Sequence, residues 1–109
     1  MDMSEDRGYA PLMLYSENDG CFIGKIAGLD KHIIVFDGET EEAIRKHFEE
    51  SVDFYLETTE KPEKPFAGRI TVIIPQELHS KLVHKAFDDG TIFFNDWLAE
   101  KLLHLCEHP

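Results

Sequence analysis

The chain has 109 residues, 22 of them acidic and 11 basic, so its formal net charge at pH 7 is −11. With 42% hydrophobic residues, 30% charged residues and eight Phe, it is too apolar to be disordered, and its length allows one domain or two very small ones with little stability to spare. The apolar runs at 12–15 and 33–36 are far below membrane-spanning length and MDMSEDRGY carries no export signal, so the expected place is the cytoplasm, with Cys21 and Cys106 as free thiols.

In chain order, residues 9–15 and 21–27 read as strands joined by a tight reversal at SENDG, residues 16–20. A turn at 28–31 leads to HIIVF, residues 32–36, β-branched and aromatic enough for a third strand of an antiparallel meander. Thr40 is a good N-cap, with Glu41 and Glu42 in the first turn where the helix dipole favours negative charge; Ala43 stands where a Glu would complete a capping box. Ile44, Phe48, Val52 and Tyr55 recur at helical spacing, opposite Glu41, Arg45, Lys46, Glu49, Glu50 and Asp53. One amphipathic helix covering the meander is the expected first domain, residues 1–57.

TTEKPEKPFAG, residues 58–68, interrupts every periodic pattern and reads as a short semi-rigid linker. Residues 69–74, RITVII, then make a strand that stops at Pro75. Leu78, Leu82, Val83, Ala86 and Phe87 mark one helix up to Asp88-Asp89-Gly90, and Trp97, Leu98, Ala99, Leu102, Leu103 and Leu105 mark a second. A strand and two helices in residues 69–109 are too few for a core, and the free edges of a lone strand offer a way to pair with a second copy. A homodimer, or a higher even multiple, is expected.

KPEKPFAGRITVIIPQELH at 61–79 resembles the linker, strand and first helix of the HicB family of antitoxins. Gly24-Lys25-Ile26, residues 36–40, Phe48, residues 52–56 and Asn95-Asp96-Trp97-Leu98 resemble the same family in the same order. The resemblance implies an α+β chain: a partial RNase H-like domain, a three-stranded antiparallel meander packed with one helix, followed by a dimeric ribbon-helix-helix unit. It implies neutralisation of a small basic HicA-like ribonuclease toxin by the first domain, which covers the toxin's catalytic His, and autoregulation of transcription by the second. The surplus of 16 acidic over seven basic side chains in residues 1–68 suits such a partner, with Glu49, Glu50 and Asp53 as the steering face.

In ribbon-helix-helix proteins paired strands enter the major groove. Alternation back from Ile74 then turns Ile70, Val72 and Ile74 into the dimer core with Trp97, Leu98 and Leu102, and turns Arg69, Thr71 and Ile73 toward DNA. Two departures weaken the DNA role. Ile73 occupies a position more often polar or basic, and the inter-helix turn from Gly90 to Asn95 is one residue longer, with Phe93 at the usual capping Ser, leaving Thr91 and Asn95 as the phosphate-side residues. Weak, salt-sensitive binding to operator DNA is expected; the alternative is an orphan HicB-like interaction protein with DNA binding weak or lost.

An enzyme would need a carboxylate cluster such as Asp19, Asp30 and Asp37 around Mg²⁺, but each lies by a Gly or in a turn that favours Asp for local hydrogen bonding. His79 and His84 are five apart, and His104 and His108 share a face without a third ligand. Phe87, Phe93, Phe94 and Trp97 suit a dimer core better than a base-stacking platform. No catalytic activity, metal or cofactor is expected.

Overall fold

In the computed structural model, which describes residues 3–107, strands β1 (Pro11–Ser16) and β2 (Cys21–Ile26) form an antiparallel hairpin. Its reversal is closed by the Gly20 N–H donating to the Ser16 carbonyl at 2.9 Å, and Gly20 supplies the positive φ of 67° that the turn needs. Strand β3 (Val35–Gly38) pairs antiparallel with β2, giving the order β1-β2-β3.

Helix α1 (Glu41–Thr58) starts where expected: the Thr40 Oγ1 accepts the Ala43 N–H at 3.0 Å, so the cap holds without a Glu at 43. Its stripe of Ile44, Phe48, Val52 and Tyr55 is buried against Met13, Ile26 and Phe36 of the sheet, and the rings of Phe36 and Phe48 lie 5.5 Å apart. Each large side chain buried in this way contributes about 1.5–3 kcal/mol. Gly38 permits the close approach of β3 to α1, because a Cβ there would run into the backbone of Ile44.

The third strand begins three residues later than HIIVF suggested and reaches Gly38. Its expected opening is claimed by Glu63, whose carboxylate accepts the backbone N–H groups of Asp30, Lys31 and His32, each at 2.9 Å. Those bonds, the one from Lys31 foremost, hold the Glu63 carboxyl below the usual carboxylate range. The Glu63 N–H donates to the Tyr55 hydroxyl at 2.8 Å, the Tyr9 hydroxyl donates to the Glu63 carbonyl at 2.9 Å, and the Phe66 N–H donates to the Gly28 carbonyl at 3.0 Å. The stretch expected as a spacer is thus fastened along the sheet-and-helix unit, and the chain divides into Met1–Thr71 and Val72–Pro109.

The second unit holds α2 (Gln76–Asp88), entered from Pro75, and α3 (Phe94–Glu107). Gly90 turns the chain at φ 97°, and the Thr91 Oγ1 accepts the Phe93 N–H at 2.9 Å just before α3 begins. Among the described residues of this unit only Ala86 and Trp97 are buried. The strand expected over 69–74 has no partner strand among the described residues; Ile70, Val72 and Ile73 are exposed, because a strand without a neighbour makes no ladder.

The Trp97 indole N–H donates to Asp89 Oδ2 at 2.8 Å, and this bond, ahead of the charges of Lys85 and Lys101, lowers the Asp89 carboxyl from its ordinary range. A carboxyl whose native value lies below its unfolded one adds stability that is complete above the ordinary value of about 3.9 and is lost as pH falls through the native one. Fluorescence of Trp97, the single tryptophan, should therefore report loosening of the helix pair below about pH 4. Asp89→Asn should remove that acid step, and an unchanged step in the variant would contradict the assignment.

Candidate protein-binding surface

Among the described residues of the first unit, the helix α1 packs on one face of the sheet and nothing covers the other. The register pairs Leu12 with Lys25, Leu14 with Ile23, Lys25 with Val35 and Ile23 with Asp37, so alternation brings these six side chains to the face opposite α1. Leu14 is 58% and Val35 68% exposed, and with Leu12, Ile23 and Met3 they border a hollow of roughly 840 Å³. A contiguous apolar patch rimmed by single charges, here Lys25 and Asp37, marks an interaction surface. The sequence signal was present: the run PLMLY at 11–15 is apolar at successive positions, the pattern of a strand with both faces covered.

The patch runs to an open sheet edge. The Ile26 N–H donates to the Ile34 carbonyl at 3.0 Å, so positions 34, 36 and 38 turn their backbone groups toward β2, and Val35 and Asp37 turn theirs outward. His47 Nδ1 meets the Asp37 carbonyl; the remaining outward groups have no partner among the described residues. The outer edge of β1 is different, since its first outward position is Pro11, which has no N–H. Beside the β3 edge, Ile33, His47, Glu50, Ser51 and Phe54 line a groove in which Ile33 and Phe54 are exposed. An extended segment pairing with β3 would fill this groove on one side and extend the apolar patch on the other.

The expected steering face divides. Glu49 is 3.1 Å from Arg45 Nε and Asp53 is engaged by Arg7, which also binds Asp6 at 2.9 Å, whereas Glu50 is exposed in the groove. Arg69 is exposed, and the Thr71 hydroxyl donates to Asp30 Oδ2 at 3.3 Å. Ile73 is 98% exposed, Asn95 is exposed in the first turn of α3, and Thr91 is half-buried. Ile70 and Val72 are exposed, Ile74 and Leu98 are half-buried, and Leu102 is exposed, but Trp97 is only 7% exposed within its own chain.

Asp19, Asp30 and Asp37 are not gathered: Asp19 bonds Ser16 in its turn, Asp37 lies on the open sheet face, and Asp30 faces residues 61–69. His108 lies outside the described residues, and among the described residues no group of three or more His, Cys, Asp or Glu is placed to hold a metal ion. Partial burial, with Asp37 and Asp19 nearby, pushes the Cys21 thiol up, away from the reactive thiolate form. No helix among the described residues is long and apolar enough to cross a membrane.

No curated protein and no solved structure matches the chain. The HicB family model matches residues 52–102, which cover the end of α1, the strapped segment, α2 and most of α3. That similarity points to a role connected with a toxin–antitoxin system. Over residues 52–102, in the order strap, extended segment and two helices, this chain is similar to the HicB family.

Proposed function

We propose that the chain is the antitoxin of a type II pair, neutralising a small, basic, HicA-like mRNA-cleaving toxin by occlusion. The observation that carries this is an uncovered apolar sheet face continuous with an unpaired strand edge, on a unit that holds 16 acidic and eight basic side chains. Apolar contact supplies affinity, the free edge supplies backbone hydrogen bonds, and the acidic surplus speeds the encounter with a partner that binds nucleic acid. No catalytic residue is needed, because covering the toxin's RNA-binding face is enough. On this reading the first unit is a partial RNase H-like domain acting in the cytoplasm. Affinity purification of the chain from its host should bring down a small basic protein in stoichiometric amount; recovery of the chain alone would contradict the proposal.

The second half is proposed as a ribbon-helix-helix unit that pairs two chains through residues 69–74 and binds operator DNA weakly. Exposed Ile70, Val72, Phe87, Leu102 and Leu103 support this, since pairing would bury apolar surface and satisfy backbone groups together. Light scattering at micromolar concentration should give a dimer or a multiple of one. Val72→Asp should give a monomer or an unfolded second unit, and a well-folded dimer in that variant would exclude this pairing. A second reading, an interaction protein with the same toxin surface but DNA recognition lost, is favoured by the fully exposed Ile73 on the presumed groove face.

A further inference from the structure

The first unit contains eight basic side chains. Arg7 is held by Asp6 and Asp53, Arg45 pairs with Glu49, Lys25 lies on the open sheet face, and Lys46 is on α1. The other four, Lys31, Lys61, Lys64 and Arg69, border a single cleft, all exposed and none in an ion pair among the described residues. Two carboxylates share the cleft, and neither presents a free charge to solvent as the four cations do. Glu63 accepts three backbone N–H groups, and Asp30 has one oxygen facing the Thr71 hydroxyl and the other buried without a hydrogen-bond partner among the described residues. What the cleft offers solvent is therefore cationic, in a chain whose net charge is −11.

Arg69 belongs both to this cleft and to the segment proposed to pair over DNA. We infer that the cleft of Lys31, Lys61, Lys64 and Arg69 binds the sugar-phosphate backbone of duplex DNA next to that segment, which rests on the DNA-binding half of the proposed function. Long, exposed, separately hydrated cations suit point contacts to a polyanion rather than the enclosure of a small ligand. Glu63 contributes by fixing the strap, so that Lys61 and Lys64 stand beside Lys31 instead of trailing on a free linker. The affinity then comes from phosphates, with few base contacts needed from Thr71 and Ile73.

The test uses the full chain and two labelled duplexes, one from the region upstream of its own reading frame and one of scrambled sequence, titrated between 50 and 200 mM salt. Neutralising Z phosphates gives a log–log salt slope of about −0.9Z. For a dimer, Lys61→Ala with Lys64→Ala removes four contacts, so the slope should flatten by about 3 to 4. Lys31→Ala should flatten it by about 2, and Lys61→Arg with Lys64→Arg should keep it. Lys46→Ala, on α1 away from the cleft, should match the wild type. Melting curves should coincide for all five proteins, since every changed side chain is exposed. If the wild type binds neither duplex, the DNA-binding reading falls; if it binds and the alanine variants keep its slope, only the cleft is wrong.

Discussion

Phe48→Ala should leave the first unit unfolded, or nearly so, at physiological temperature. Phe48 is fully buried, its ring packs on Phe36, and the Arg45 guanidinium lies 4.9 Å from its centroid. Truncation removes the side chain and leaves a cavity that the flanking Ile44 and Val52 cannot close, a loss of about 3–5 kcal/mol. Small domains have a total stability of about 5–15 kcal/mol, and one of this size lies toward the lower end. At roughly 4–8 °C per kcal/mol, the melting temperature should fall by at least about 12 °C by circular dichroism. A shift of only a few degrees would mean that the core is not centred on α1.

The second large effect separates binding from folding. Leu14→Asp combined with Val35→Asp places two carboxylates on a face that water already reaches, so the fold should persist. A partner seated there would have to bury those charges unpaired, which costs several kcal/mol. Calorimetry with the co-purified basic protein should show at least a hundredfold weaker binding, about 2.7 kcal/mol, with an unchanged melting curve. Affinity within a few-fold of wild type would place the interface elsewhere. Reversing Glu50 alone should act mainly on the association rate, as a rim charge does; Glu49 and Asp53 already have partners in the chain, so their reversal would mix stability with steering.

What the sequence made legible was local. Thr40 and the 44-48-52-55 stripe specify α1 because cap and periodicity are properties of neighbouring residues, and the SENDG turn specifies the hairpin for the same reason. The strap was not legible, since Glu63 takes the amides of Asp30, Lys31 and His32 about thirty residues upstream, a tertiary capture without a spacing rule. That capture takes the first amide of HIIVF, that of His32, out of the ladder: β propensity describes side chains, whereas pairing needs free backbone groups.

For the candidate site, the acidic surplus was visible in the composition, but its placement was not. Helical spacing shows Glu49 and Asp53 as a free face because it cannot reveal Arg7 arriving from the segment before β1. The open face of Leu12, Leu14, Ile23 and Val35 is encoded in part in the unbroken apolar run of β1, a pattern that specifies a strand without saying what covers its second face. Trp97 has the periodicity of a dimer-core residue and the same apolar character, yet Asp89 draws its indole N–H into its own helix pair.

The central claim is that the first unit does the neutralising. The fragment to use ends at Thr71 and not at Glu57, because the earlier end would strip Glu63 from the amides it satisfies. The most direct measurement is bacterial growth during co-expression of the co-purified basic protein with either fragment 1–71 or fragment 72–109, with cellular mRNA cleavage scored alongside. Fragment 1–71 should restore growth and stop cleavage, its Leu14→Asp, Val35→Asp form should do neither, and fragment 72–109 should fail. Rescue by 72–109 alone, with 1–71 inactive, would contradict the account.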